Sequence, residues 1–136
     1  MALMGPSGCG KSTLLDIIAG KKTSPYSGSV YLNGRPADKL FALVTAYVPQ
    51  SDVMPEQWTV KEAITFSFML RRPLPKIVGE EKAEPIIHMI LHSLGLADQS
   101  ASLIGGPTVR GISGGQRRRL TLACGLATGA HCFFLR

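Results

Sequence analysis

The sequence predicts an α/β fold in which helices cover a parallel sheet, and three observations lead there. A glycine-rich loop, Gly5-Pro6-Ser7-Gly8-Cys9-Gly10-Lys11-Ser12-Thr13, separates a short apolar run from a segment with helical spacing. Two more apolar, β-prone runs, residues 43–48 and 132–135, have the length of buried strands. Between and around them, apolar residues recur at helical intervals near residues 60–68, 86–94 and 120–126.

Taken in order, Ala2-Leu3-Met4 reads as the end of a buried strand. Residues 12–19 read as a helix carrying Leu14, Leu15, Ile17 and Ile18, with Gly20 as its stop. The loop between them fits G-x-x-x-x-G-K-[ST], the pattern that wraps nucleotide phosphates. Its glycines let successive N–H groups face one concavity, where an anion can replace water. Lys11 supplies a cation for the outer phosphates, and Ser12 offers a hydroxyl to Mg²⁺, a hard ion that prefers oxygen. The helix that follows brings its partially positive N-terminus under the same point.

Residues 21–27 form a polar loop containing Pro25. Ser29-Val30-Tyr31-Leu32 then reads as a short strand entering the tight-turn pair Asn33-Gly34. Residues 43–48 read as a core strand whose end, at Pro49, places Gln50. A loop with Pro55 leads to a helix bearing Val60, Ala63, Ile64 and Phe68, which ends near Arg71-Arg72-Pro73. Residues 73–79 read as a surface linker. Pro85 is expected to open the next helix, with Ile86, Ile87, Ile90, Leu91 and Leu94 on one face and Gly95 as its cap. Ser113 is a good N-cap for a last helix carrying Leu120, Leu122, Ala123 and Leu126. Gly114 and Gly115, just inside its start, leave backbone N–H groups bare, which makes a second anion cradle.

Composition limits the partners. With 45% hydrophobic and 18% charged residues over 136 positions, the chain is globular and long enough for one real core. A net charge of +6 would permit nucleic acid, anionic lipid or nucleotide. The basic residues are spread out except for Arg117-Arg118-Arg119, which reads as a solvated helix face rather than a nucleic-acid patch. Cys9, Cys124 and Cys132 form neither a C-x-x-C pair nor an even set, so reduced thiols in a cytosolic compartment are expected. Glu84, His88 and His92 recur at every fourth position and read as a polar helix stripe rather than a metal site. Trp58, Phe66 and Phe68 read as packing residues. The N-terminus lacks a signal peptide's basic region and apolar run. The apolar stretch 120–135 is too short to span a bilayer and is broken by two glycines and His131.

The motifs resemble one family. Ile112-Ser113-Gly114-Gly115-Gln116 looks like the signature of ATP-binding cassette (ABC) proteins, residues 5–13 like their Walker A loop, and Val48-Pro49-Gln50 like their Q-loop. The finer likeness is to the G subfamily, the white/pigment, sterol and multidrug transporters. It rests on Met1-Ala2-Leu3-Met4-Gly5-Pro6-Ser7-Gly8, Thr59-Val60-Lys61-Glu62 with Arg71-Arg72-Pro73, and Leu94-Gly95-Leu96. Ile104-Gly105 and Val109-Arg110-Gly111, just before the signature, complete it. The likeness covers nearly the whole chain.

It implies a P-loop NTPase fold, a RecA-like parallel sheet core with an α-helical subdomain. Residues 1–50 would be core with Walker A and Q-loop, 51–120 the helical subdomain with the signature, and 121–136 the rest of the signature helix and the start of the Walker B strand. It also implies ATP and Mg²⁺ as ligands, with the amides of residues 8–13 and Lys11 on the phosphates. Ser12 and Gln50 would face the metal. Ser113, Gly114, Gly115 and Gln116 would serve the nucleotide of a second cassette, because two cassettes meet head to tail in that family. A transmembrane domain outside this chain would be the other partner, placing the cassette at the cytoplasmic face of a membrane, with no nucleic acid.

The likeness departs at both ends: the family's first β-strands and the aromatic that stacks on adenine have no counterpart upstream, nor have its D-loop and switch-His segments downstream. Cys132-Phe133-Phe134-Leu135 resembles the Walker B strand, but Arg136 stands where the family has an Asp that holds Mg²⁺. The catalytic Glu would follow it. The chain therefore reads as a cassette cut at both ends, of low stability by itself and inactive as an ATPase in isolation. A non-catalytic remnant and a soluble ABC ATPase acting on DNA or ribosomes are the alternatives.

Overall fold

The computed structural model describes residues 2–38, 41–71 and 80–136, with the backbone alone for 80–82. Helix α1, Lys11–Ile18, follows the glycine-rich loop and stops as expected. The Gly20 N–H donates to the Ile17 carbonyl and the Lys21 N–H to that of Asp16, at 3.0 and 2.8 Å. This doubly bonded C-terminal cap needs the left-handed conformation that Gly20 takes, with φ 66°. Strands β1, Tyr31–Leu32, and β2, Arg35–Pro36, form the expected hairpin across Asn33 (φ 50°) and Gly34 (φ 78°).

Residues 43–48 are not one strand. Helix α2, a single turn at Phe41–Val44, takes the first two of them, and β3 is Thr45–Val48. The Thr45 hydroxyl donates to the Phe41 carbonyl at 2.9 Å, holding the turn closed against the strand. Leu43, 69% exposed, belongs to that turn rather than to the core. At the far end of the chain β4, Cys132–Leu135, pairs in parallel with β3, Thr45 opposite Cys132 and Val48 opposite Leu135. A parallel core pair is thus in place, although β4 is half-buried rather than enclosed. Ala2-Leu3-Met4, expected as the end of a buried strand, pairs with neither β3 nor β4, and Met4 is exposed. Without a ladder partner its backbone has nothing to make it a strand.

The main core lies among helices: α3 (Val60–Arg71), α4 (Glu80–Ser93) and α5 (Gly114–Ala127). Val60 and Ile64 from α3, Ile87 from α4 and Leu120 from α5 are essentially inaccessible, joined by Leu96 and Ile104 from the connections. Helix α4 starts five residues before Pro85, which lies inside it. Pro85 supplies no N–H, so the turn before it is held with one bond fewer. Gly95, with φ 61°, caps α4 as expected. The expected linker 73–79 lies outside the described residues.

Two connections are zipped together. The Ile104 N–H donates to the Trp58 carbonyl at 2.8 Å and the Val60 N–H to that of Ser102 at 3.1 Å. A bridge pairs Thr59 with Leu103, so the entry to α3 fixes the approach to α5. Trp58 and Phe66 meet edge to face at 4.9 Å and Phe68 is buried, which is the packing role expected of them. Helix α5 packs on both α3 and β3, and Gly125 lets Val48 come close: a Cβ there would lie 2.8 Å from Val48 Cγ2. In this way α5 is the member shared by the helical core and the sheet.

Candidate functional site

The glycine-rich loop has the curl that its sequence demands. Gly8 and Gly10 sit at φ 83° and 90°, a region closed to most side chains, and a Cβ on either would meet nothing within 4 Å. The concavity they line is therefore open. Gly10 caps α1 through its backbone alone, and the Leu14 N–H already donates to the Gly10 carbonyl at 2.9 Å. By helix geometry the N–H groups of Lys11, Ser12 and Thr13 are left without an intrahelical acceptor. Lys11 Nζ lies over the loop, 2.9 Å from the Gly5 carbonyl and 2.7 Å from that of Pro6, with Cys9 Sγ at 3.7 Å. Open amides, a helix N-terminus and an ammonium group on one loop fit a phosphate chain. Ser12 and Thr13 are exposed beside them.

Behind the loop, α1 is moored to the sheet by one carboxylate. Asp16 Oδ1 accepts from the Tyr47 hydroxyl on β3, and Asp16 Oδ2 lies 3.4 Å from Arg136, just past β4. Burial raises the Tyr47 pKa above its ordinary value, and the bond to Asp16 adds to this. The phenol therefore stays a donor across the neutral range.

Gln50 follows β3 and is exposed. Its neighbours are firmly held from α5. Arg118 donates to the Pro49 carbonyl and lies 3.3 Å from Asp52 Oδ1, and the Thr121 hydroxyl donates to the same Asp52 oxygen at 2.6 Å. The arginine run is thus not a solvated face throughout. Arg117 also turns inward, donating to the Ile104 carbonyl at 3.2 Å, and only Arg119 of the three is exposed. Backbone carbonyls and one carboxylate near these positions compete successfully with water for the guanidinium donors.

At the start of α5, Ser113 is the N-cap as expected. Its hydroxyl accepts from the Gln116 N–H at 3.3 Å, and the Gln116 side chain accepts from the Ser113 N–H at 2.8 Å. Gly114 and Gly115 are exposed, with open space where side chains would be. Among the described residues no hydrogen bond or ion pair joins this turn to the glycine-rich loop.

Elsewhere Glu84 pairs with Lys61 at 2.8 Å, and the His88 and His92 rings stack at 6.4 Å. Among the described residues no group of three or more metal-binding side chains converges, and no helix is long and apolar enough to cross a membrane. All three cysteines are free, and burial pushes the Cys124 thiol up from its ordinary pKa. Sequence reasoning missed Asp52, Arg118 and Thr121 as a set. The i, i+3 spacing of Arg118 and Thr121 puts them on one helix face, but nothing in the sequence marks Asp52 as their acceptor.

The family model described as ABC transporter matches residues 1–135. Among curated proteins the chain is 39% identical over 136 residues to ABC transporter G family member 36 of Arabidopsis thaliana, covering 98% of this chain and 9% of that protein. It is 40% identical over 141 residues to ABC transporter G family member 22 of Dictyostelium discoideum, covering 99% and 23% respectively. A probable ATP-dependent permease of Saccharomyces cerevisiae is 41% identical over 137 residues, covering 99% of this chain and 13% of that one. The chain thus spans between about a tenth and a quarter of the length of these relatives. A solved ATP-binding subunit of an ABC transporter superimposes with a TM-score of 0.71 over 97% of this chain and 52% of its own, at 21% identity. That likeness shows the fold.

Proposed function

The chain belongs to the ABC transporter family, and from that premise we propose that it is the ATP-binding cassette portion of a G-type transporter. The observation that carries the reading is the open loop with Gly8, Gly10 and the first-turn amides of α1 around Lys11. Residues 5–13 hold the phosphates of ATP: the amides bond their oxygens, and Lys11 leaves the Gly5 and Pro6 carbonyls to pair with the outer ones. Ser12 and Gln50 offer the oxygens that Mg²⁺ takes, and bound Mg²⁺ supplies charge neutralisation at the phosphates. The N-terminus of α5, with Ser113, Gly114, Gly115 and Gln116, faces the nucleotide held by a second cassette. Residues 1–50 form the nucleotide-holding core, 51–120 the helical subdomain with the signature, and 121–136 the return to the sheet.

In the complete protein the cassette works at the cytoplasmic face of a membrane, coupling ATP binding and hydrolysis to transport through a transmembrane domain. The G family relatives favour this over a soluble ATPase acting on DNA or ribosomes. This chain by itself is expected to hold ATP without turning it over. Asp16, the carboxylate on α1, is engaged by Tyr47 and Arg136, and Asp52 by Arg118 and Thr121.

The test is direct binding of ATP with Mg²⁺, followed by calorimetry or a fluorescent analogue. Lys11→Ala should weaken affinity at least about tenfold, the scale of losing a charge-assisted contact. Unchanged affinity would remove the assignment of residues 5–13.

A further inference from the structure

One guanidinium links the ends of both core strands to the helix that carries the second anion cradle. Arg118, on α5, donates to the Pro49 carbonyl past β3 and, at 2.6 Å, to the Arg136 carbonyl past β4. It also pairs with Asp52 at 3.3 Å, both side chains being half-buried. Thr121, one turn further along α5, bonds the same Asp52 oxygen. These contacts bracket Gln50, with Pro49 immediately before it and Asp52 two residues after. Only Arg can do this, because its planar fork reaches several acceptors at once where a lysine ammonium would not.

Resting on the reading above, we propose that Arg118 is a positioning residue, held by Asp52 and Thr121, that transmits displacement of the Gln50 loop to the first turn of α5. The route is short. Arg118 lies five residues beyond Ser113, about 7.5 Å along a continuous helix. That first turn is itself stiffened by the Ser113–Gln116 capping box. A loop pinned on both sides of Gln50 cannot move without taking Arg118 with it or breaking the bonds. Contact at Gln50 then changes where the amides of Gly114 and Gly115 point.

The experiment uses the whole chain labelled with ¹⁵N, at a concentration where sedimentation shows a monomer, so that no second copy's nucleotide touches α5. The probe is Mg²⁺ with a non-hydrolysable imido analogue of ATP. In the unaltered chain, saturation should shift the amide signals of residues 8–13 and also those of Gly114 and Gly115. In Asp52→Ala and Arg118→Ala, the analogue should bind with affinity changed by no more than about twofold, while the Gly114 and Gly115 response falls by about half or more. The double variant should be no worse than either single one, as for two partners in one interaction. Thr121→Val keeps the shape of its site and loses the hydroxyl that faces Asp52 and the Arg117 carbonyl. It should give a smaller loss of response, and it covers the case in which Arg118→Ala fails to fold.

A full Gly114 and Gly115 response in the folded variants, or none in an unaltered chain that binds the analogue, overturns the proposal while leaving nucleotide binding intact. No response at residues 8–13 in the unaltered chain overturns the functional reading, and this inference with it.

Discussion

Glu62 shows how much one exposed side chain can settle locally. Its carboxylate accepts from the Thr59 N–H at 2.8 Å, and its own N–H donates back to the Thr59 hydroxyl at 3.2 Å, closing a capping box at the start of α3. The Thr59 backbone, and after it the Thr59 hydroxyl, hold the Glu62 pKa below its ordinary value. A carboxylate with a lowered native pKa stabilises the fold above its unfolded value, and that contribution fades as the pH falls through the native one. Fraying of α3 should therefore increase on acidification below the ordinary Glu range. Glu62→Gln should flatten that dependence, as read by amide exchange at residues 60–63 across pH 3 to pH 6 (roughly the span of carboxylate titration). The same scale explains Lys11. Its ammonium group is bonded to two carbonyls of its own loop, contacts that the proposed phosphate would have to replace.

Among the elements, α5 has the most demands on it, and its sequence announces only some of them. Ser113, followed three residues later by Gln116 and then by spaced apolar residues, is a capping box legible in one dimension, and the structure contains it. Ser113→Ala should cost about 0.5–2 kcal/mol, the usual worth of an N-cap. Denaturant unfolding would measure it, with binding of ATP at the chain's own loop unchanged if the Ser113 hydroxyl serves a second cassette. The glycine loop, the hairpin at Asn33-Gly34 and the cap at Gly95 were equally legible, because each depends on local backbone chemistry. The failures share a cause. Residues 43–48 have one composition but two conformations, because the Thr45 hydroxyl bond and the pairing with β4 decide where the strand begins. Pro85 marks a boundary by local rules, yet α4 runs through it because Ala83, Ile87 and Ile90 bury against the other helices. Arg118 finds Asp52 across 66 positions, a distance at which spacing rules are silent. Long-range partners are what the sequence withheld.

The whole molecule is unevenly secured. The helical part holds the large enclosed side chains, Ile64, Ile87, Leu96, Ile104 and Leu120, while β4 remains half-buried and Leu43, Leu70 and Leu135 are more than half exposed. Ile64→Ala should cost about 2–5 kcal/mol, the range for emptying an enclosed aliphatic site. Native-state amide exchange should find its slowest positions in α3 and α5, ahead of β3 and β4. An inverted order would show that the sheet, and not the helices, limits unfolding. Against that background, α1 has a further consequence. None of its residues is fully buried, and the hydrogen bond and ion pair that tie it to the sheet both run through Asp16. If residues 5–13 hold phosphate as proposed, capture of an anion should also order α1. On the proposed function, nucleotide affinity and the ordering of α1 would then be one equilibrium. Bound ATP should slow amide exchange across residues 11–18 more than in α3, and a variant that rigidified α1 beforehand would bind more tightly without a single new contact to the ligand.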